Sequence, residues 1–233
     1  MIIAINKPKG ITSHDVVDVV RKKYNITKVG HAGTLDPLAE GILIVLTEKD
    51  TKSQSEFMGL EKEYIAEIAF GIRTDTYDIE GTVLENDKLR LAGKVLEKGE
   101  IEKVLNKFVG NIIQEVPAFS AVKIRGKPLY KYAREGKMEG IKLPKRKVFI
   151  KELELLETGT TFVSLSRQRY NFPAKKYPYI KIRLVCSKGT YVRSLANDIG
   201  NKLGGGGTLI SLVRTRIGNY TLENSLSLER FLM

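Results

Sequence analysis

IKIRLVCSKGTYVRSLANDIGNKLGGGGTLISLV, residues 180–213, changes its apolar period twice, and that change decides the fold class. Ile180, Ile182, Leu184 and Cys186 alternate with Lys181, Arg183 and Val185, the period-two pattern of a strand with one buried face. Gly189 ends it. Val192, Leu195, Ile199 and Leu203 then recur at helical spacing until Gly204–Gly207 closes the helix, and Leu209–Val213 reads as a second strand. Working outward, Ile2–Ile5 reads as a strand and Lys7–Gly10 as a turn. Thr12 or Ser13 caps a helix carrying Val16, Val17, Val20 and Tyr24. A glycine-punctuated loop, Gly30 to Gly41, leads into the buried strand Ile42–Leu46. Tyr64–Phe70 is a further strand, and Ile101, Val104, Leu105 and Phe108 mark a helix ended by Gly110. Strands and helices interleave without a strict βαβ rhythm, so the fold class is α+β rather than a doubly wound parallel sheet.

Lysine and arginine total 39 against 27 acidic residues in 233, a net charge of +12. Such an excess favours an anionic partner, either nucleic acid or an anionic membrane surface. Between Val116 and Lys147 stand ten Lys or Arg against two acids, Glu135 and Glu139, the most basic stretch of the chain. A single cysteine, Cys186, excludes an intramolecular disulfide and reads as a small core residue in a reducing cytosol. The two histidines, His14 and His31, leave no basis for a multi-histidine metal site, so no metal is expected. The apolar run Ile42–Leu46 is too short to span a bilayer and the N-terminus has no signal-peptide pattern, which together imply a soluble, cytoplasmic protein.

The loop GHAGTLDPLAEG, residues 30–41, holds three glycines, one histidine and the pair Asp36–Pro37. Pro37 drives Asp36 out of the helical region, so its carboxylate can face a cleft beside the following buried strand. Asp before Pro is also an ordinary turn signal. Spacing alone therefore leaves a turn cap and a reactive carboxylate both open.

The fourteen residues GHAGTLDPLAEGIL, 30–43, resemble the catalytic-loop signature of TruB-type pseudouridine synthases. The resemblance continues in order through NKPKGITSHDVV (6–17), KEYIAEIAFGIRTDTYDIEG (62–81), VPAFSAVKIRGKPLYKYAREG (116–136), CSKGTYVRSLANDIG (186–200) and LVRTRIGNY (212–220). It implies one catalytic domain over residues 1–233, with a mixed, mainly antiparallel central sheet flanked by helices and a basic RNA-clamping insertion at 116–147. It implies isomerisation of uridine 55 in the T-loop of tRNA to pseudouridine by base flipping, with Asp36 as the catalytic residue and no cofactor. In the family the residue matching Tyr64 packs on the target base, that matching Arg193 pairs with the catalytic aspartate, that matching Leu212 lines the uracil pocket, and that matching His31 helps accommodate the everted nucleotide. Lys123, Arg125, Lys127, Lys145, Arg146 and Lys147 are the expected RNA-binding residues. The expected partner is the T-arm of tRNA, with no membrane, no obligate protein partner and a monomeric state.

The sequence departs from the family pattern in places. The chain reaches Met233 soon after LVRTRIGNY, so a full C-terminal PUA domain is expected to be absent. Thr208 and Val213 stand where relatives often carry histidine and arginine. Gly204–Gly207 follows a helix and lacks the lysine and hydroxyl residue of a phosphate loop, and Asp75–Gly81 lacks the ligand spacing of a calcium loop. Two rival readings remain on the sequence: a subunit of an RNA-guided synthase, and a non-catalytic RNA chaperone.

Overall fold

The structure, a computed structural model, describes residues 1–84, 96–163 and 175–232. In chain order the elements begin with β1 (Ile2–Lys7), α1 (Ser13–Tyr24), β2 (Val29–Ala32), β3 (Glu40–Thr47), α2 (Gln54–Gly59) and β4 (Lys62–Phe70). There follow α3 (Lys98–Leu105), β5 (Gly110–Glu115), β6 (Lys123–Ile124), β7 (Lys127–Pro128), α4 (Leu129–Arg134) and β8 (Lys145–Val163). The last are β9 (Lys175–Cys186), α5 (Val192–Leu203), β10 (Gly207–Ile217), β11 (Tyr220–Thr221), β12 (Leu226–Ser227) and α6 (Leu228–Leu232). The class is α+β, with mixed, mostly antiparallel strand pairing and flanking helices. Among the described residues no helix is long and apolar enough to cross a membrane.

The residues divide into two compact units: Met1–Ile65 with Arg183–Lys188 and Ser211–Met233, and Ala66–Ile182 with Gly189–Ile210. In the first, β1 pairs antiparallel with β3 (Ile5 opposite Leu43) and parallel with β12, while β3 pairs antiparallel with β2 and parallel with β10. Every residue of β3 from Gly41 to Thr47 is buried. Its apolar run is continuous because both faces are covered. Ile42, Ile44 and Leu46 pack with Phe57 and Ile217; Leu43 and Val45 pack on the other side with Ile5, Val16, Val20 and Phe231. Burying each of these large side chains contributes about 1.5–3 kcal/mol.

α1 forms the lid of the second cluster. Thr12 accepts from the Asp15 amide (3.1 Å) while Asp15 accepts from the Thr12 amide (2.7 Å), a capping box. Asn25 ends the helix in a left-handed conformation, and Val16, Val17 and Val20 supply the buried face. The loop expected at Gly30–Gly41 is shorter than the glycines suggested: Val29–Ala32 forms β2, with His31 opposite Val45. Pairing with a fully buried neighbour outweighs the low strand propensity of Gly30.

In the second unit β5 pairs antiparallel with β8, and α3 and α5 are the longer helices. Val192, Leu195, Ile199 and Leu203 are buried on α5 as their spacing predicts, and Gly204 caps its C-terminus. The glycine run also serves packing: a Cβ on Gly200 would lie 2.2 Å from the backbone at Gly206 and Gly207.

Candidate active site

Asp36 sits in the link between β2 and β3, half-buried between Leu35 and Leu38, which are 3% exposed each. These leucines pin the backbone on both sides of the carboxylate. The Ser13 hydroxyl donates to the Leu35 carbonyl (2.9 Å) and accepts from the Leu35 amide (2.8 Å). The Gly10 amide donates to the Pro37 carbonyl (2.8 Å), and the Ala39 amide to the Asp36 carbonyl (3.0 Å). The KPKG turn and the start of α1 are thus the bed on which the loop rests.

Arg214 holds the same loop from β10. It is 1% exposed, its Nε donates to the Ile42 carbonyl (2.7 Å) and its Nη2 to the Gly33 carbonyl (3.0 Å). Strand alternation places Leu212, also buried, on the same face of β10. Tyr64, 8% exposed on β4, lies against Arg214. Burial pushes the Tyr64 phenol above its ordinary range, Arg214 acts against that shift, and Asp36 is near enough to add to it. His31 is held below its usual range by burial and then by the charge of Arg214, and its buried Nδ1 has no hydrogen-bond partner among the described residues. The first unit therefore brings His31 and Tyr64 to one guanidinium, which also holds the loop carrying Asp36, with Leu212 on the same face of β10.

α2 ties down His31 and the strand that carries Tyr64. The Gln54 side-chain Nε2 donates to the His31 carbonyl (2.8 Å). Lys62, one strand step before Tyr64 on the same face, donates to the carbonyls of Met58 and Leu60 at 2.6 Å each. Burial brings the Lys62 ammonium down to about 8.

Arg193 lies in the second unit, near the N-terminus of α5 and 6% exposed. A cation there needs a compensating carboxylate, and Asp78 provides one, with Oδ2 3.6 Å from the Arg193 Nε. The other guanidinium nitrogens donate to the carbonyls of Thr76 (2.9 Å) and Phe119 (3.0 Å). The segment Asp75–Gly81 thus forms a turn that receives the arginine. Among the described residues no group of His, Cys, Asp or Glu is arranged to hold a metal ion.

The six basic residues read as an RNA surface occupy two places. Lys123, Arg125 and Lys127 lie on the β6–β7 hairpin, where Lys127 bonds Glu135 (2.6 Å) and covers the Tyr132 ring. Lys145, Arg146 and Lys147 open β8, exposed, opposite Glu115, Gln114 and Ile113 of β5. Arg146 also lies over the Tyr191 ring at 5.9 Å.

Residues 21–192 match the N-terminal domain of the TruB family of pseudouridylate synthases. The chain belongs to that family. It is 47% identical over 224 residues to the tRNA pseudouridine synthase B of Carboxydothermus hydrogenoformans, covering 96% of this chain and 71% of the relative. The enzyme of the same name from Malacoplasma penetrans is 40% identical, with 96% of this chain and 88% of the relative covered. Among solved structures, an H/ACA RNP bound to a substrate RNA containing 2'-deoxyuridine has a protein chain that superposes with a TM-score of 0.64 at 26% identity; 98% of this chain but about half of that one (51%) is covered.

Within this TruB-family chain, sequence reasoning gave no role at the site to Arg214 or Lys62, and missed the bonds of Ser13 to Leu35 and of Asp78 to Arg193. Arg214 had one signal: it falls two residues from Leu212 in a strand whose alternate positions face inward. The partners of the other three are set by tertiary structure and leave no local mark.

Proposed function

We propose that this chain isomerises uridine 55 in the T-loop of tRNA to pseudouridine, with Asp36 as the catalytic carboxylate. The observation that carries this reading is that the buried Arg214 guanidinium bonds the Gly33 and Ile42 carbonyls on either side of Asp36 and bears on Tyr64 and His31, in a TruB-family chain. The reaction breaks the C1'–N1 bond, rotates the uracil and forms the C1'–C5 bond; the C5 hydrogen leaves as a proton and N1 gains one. No electrons are gained or lost, so the chemistry requires no redox cofactor. An ionised carboxylate serves it either by adding to C1' or by taking the C2' proton.

A stacked T-loop uridine must leave the stack before its C1' is accessible, and the unstacking cost is offset by packing in a pocket. Tyr64 supplies the aromatic face and Leu212 the apolar wall in this reading. Arg193 is the cation that the family resemblance pairs with the catalytic aspartate. The T-arm backbone is held by the basic residues of the β6–β7 hairpin and the start of β8, through phosphate neutralisation. On the same reading residues 1–233 form the catalytic domain, and 116–147 its RNA-clamping insertion.

The test is tritium release from a tRNA transcript labelled at uridine C5, with wild type and Asp36→Asn compared, and with a transcript lacking uridine 55. Release by wild type alone, and only from the transcript carrying uridine 55, is the expected result. Tight tRNA binding without release would overturn the synthase reading in favour of a chaperone.

A further inference from the structure

We propose that Arg214 is the positioning residue of the Asp36 loop, clamping the backbone on both sides of the carboxylate while seating the Tyr64 ring. The proposal rests on the reading of Asp36 as the reactive group. Two bonds of the Arg214 guanidinium reach the Gly33 and Ile42 carbonyls, which bracket Asp36 in the chain. Neither carbonyl is a neighbour of Arg214 in sequence, so the bonds close the loop onto a different strand.

Burying a guanidinium is costly, and a leucine on this face of β10 would fill the space without that cost. The contribution of Arg214 therefore lies in the bonds it makes. Three features of the backbone accommodate it. β10 runs parallel to β3 with Arg214 opposite Gly41, so the root of the side chain is fixed to the end of the loop. Gly41 permits that approach: a Cβ there would stand 2.3 Å from the Arg214 carbonyl oxygen. Gly33 adopts a φ of +97°, which turns its carbonyl toward the guanidinium, and its Cβ position lies 3.6 Å from Nη1. The same guanidinium lies against the Tyr64 hydroxyl and bears on His31, so one rigid planar group sets the spacing of three site residues. A lysine keeps the charge but loses the fork that spans two carbonyls.

The test compares wild type, Arg214→Lys and Asp36→Asn as full chains, by single-turnover tritium release at saturating tRNA, tRNA affinity from filter binding, and amide hydrogen exchange. In Arg214→Lys the release rate should fall by about 10²-fold, the scale expected when a reacting group is misplaced by an ångström. tRNA Kd should stay within about threefold, and exchange should rise in peptides covering 33–42 but not in α1 or α5. Asp36→Asn should abolish release with exchange unchanged. A wild-type rate in Arg214→Lys, a Kd that rises in proportion to the fall in rate, or unchanged exchange at 33–42 would each overturn the clamp. Should Arg214→Lys not fold, Gly33→Ala strains, at a φ of +97°, the residue whose carbonyl Arg214 holds; the same pattern supports the proposal, and wild-type rate and exchange refute it. If wild type itself releases no tritium, the synthase reading fails, while the exchange measurement still decides whether Arg214 holds the loop.

Discussion

The Ser13 hydroxyl is bonded twice to Leu35, donating to its carbonyl at 2.9 Å and accepting from its amide at 2.8 Å. One side chain at the first turn of α1 thus satisfies both backbone groups of the residue before Asp36. Ser13→Ala leaves both of those buried groups without this partner, a loss of about 1–3 kcal/mol. We expect a lower urea midpoint and a reduced tritium-release rate with tRNA affinity retained. A variant with unchanged midpoint would show that water replaces the hydroxyl and that the loop does not depend on it.

Gly41 and Gly30 lie at the two ends of the same motif and should respond differently to one methyl group. At Gly41 the added Cβ meets the Arg214 backbone at 2.3 Å and the residue has a φ of +105°; at Gly30 nothing lies within 4 Å. Gly41→Ala must push β3 from β10 or distort the turn, and should lose at least about 2 kcal/mol. Gly30→Ala should stay within about 0.5 kcal/mol of wild type. Equal thermal midpoints for the two variants would refute the close strand approach.

Asp78 and Arg193 form a pair in which each side chain is 7% exposed. Asp78 Oδ1 already accepts from Thr76 Oγ1 (2.7 Å) and the Glu80 amide (3.0 Å). An asparagine that keeps those bonds must present its NH2 group to the guanidinium. Asp78→Asn should therefore cost about 3 kcal/mol or more, since it removes one partner of a buried pair. Combined with Arg193→Met, the loss should be smaller than the sum of the single losses by about 1 kcal/mol. Additive losses in urea denaturation would show that the two residues are not energetically coupled.

His31 carries a pH prediction. Burial first, then Arg214 and His14, hold its imidazole below the ordinary value of 6.5. The unfolded chain then binds a proton at a pH where the folded chain does not. The contribution of neutral His31 to stability is complete above the unfolded value and is lost as pH falls from 6.5 through the folded value. Each pH unit of separation is worth about 1.4 kcal/mol. His31→Asn should show a smaller drop in thermal midpoint on acidification from neutral pH than wild type does. An imidazole resonance titrating at or above 6.5 in wild type would contradict the burial described for it.

How much of this was legible in the sequence depended on how local the determining physics is. The Ile180–Cys186 alternation and the Val192–Leu203 spacing report faces of single elements, and β9 and α5 follow them. The Thr12 cap is equally local and is present. β2 escaped because its strand character comes from pairing with Val45 and Leu46, while Gly30 alone argues for a loop. The loop carrying Asp36 is marked by a motif of fourteen residues, yet what holds it is not. Arg214 is one of 39 basic residues, and its two carbonyl partners lie more than 170 positions away in sequence. Sequence patterns reveal which face is buried; they do not reveal which backbone a buried cation will grip.

Lys145, Arg146 and Lys147 offer the sharpest test of the RNA surface, because they are exposed on a regular strand and can be changed with little effect on the fold. Lys145 and Lys147 are cross-strand neighbours of Glu115 and Ile113, and Arg146 of Gln114, so the strand register rests on backbone bonds that substitution leaves in place. If these side chains neutralise phosphates, their binding releases condensed counterions, and each lost contact reduces the slope of log affinity against log salt by about 0.7–0.9. The triple change to glutamine should weaken tRNA binding most at low salt and flatten that slope by up to about 2.7 units, with the release rate at saturating tRNA little altered. Arg146 lies over Tyr191 and is the one of the three whose side chain also serves packing, so the single variant Lys147→Gln separates charge from structure. An unchanged slope in the triple variant would mean that this end of β8 faces away from the RNA, leaving Lys123, Arg125 and Lys127 on the β6–β7 hairpin as the surface to test next.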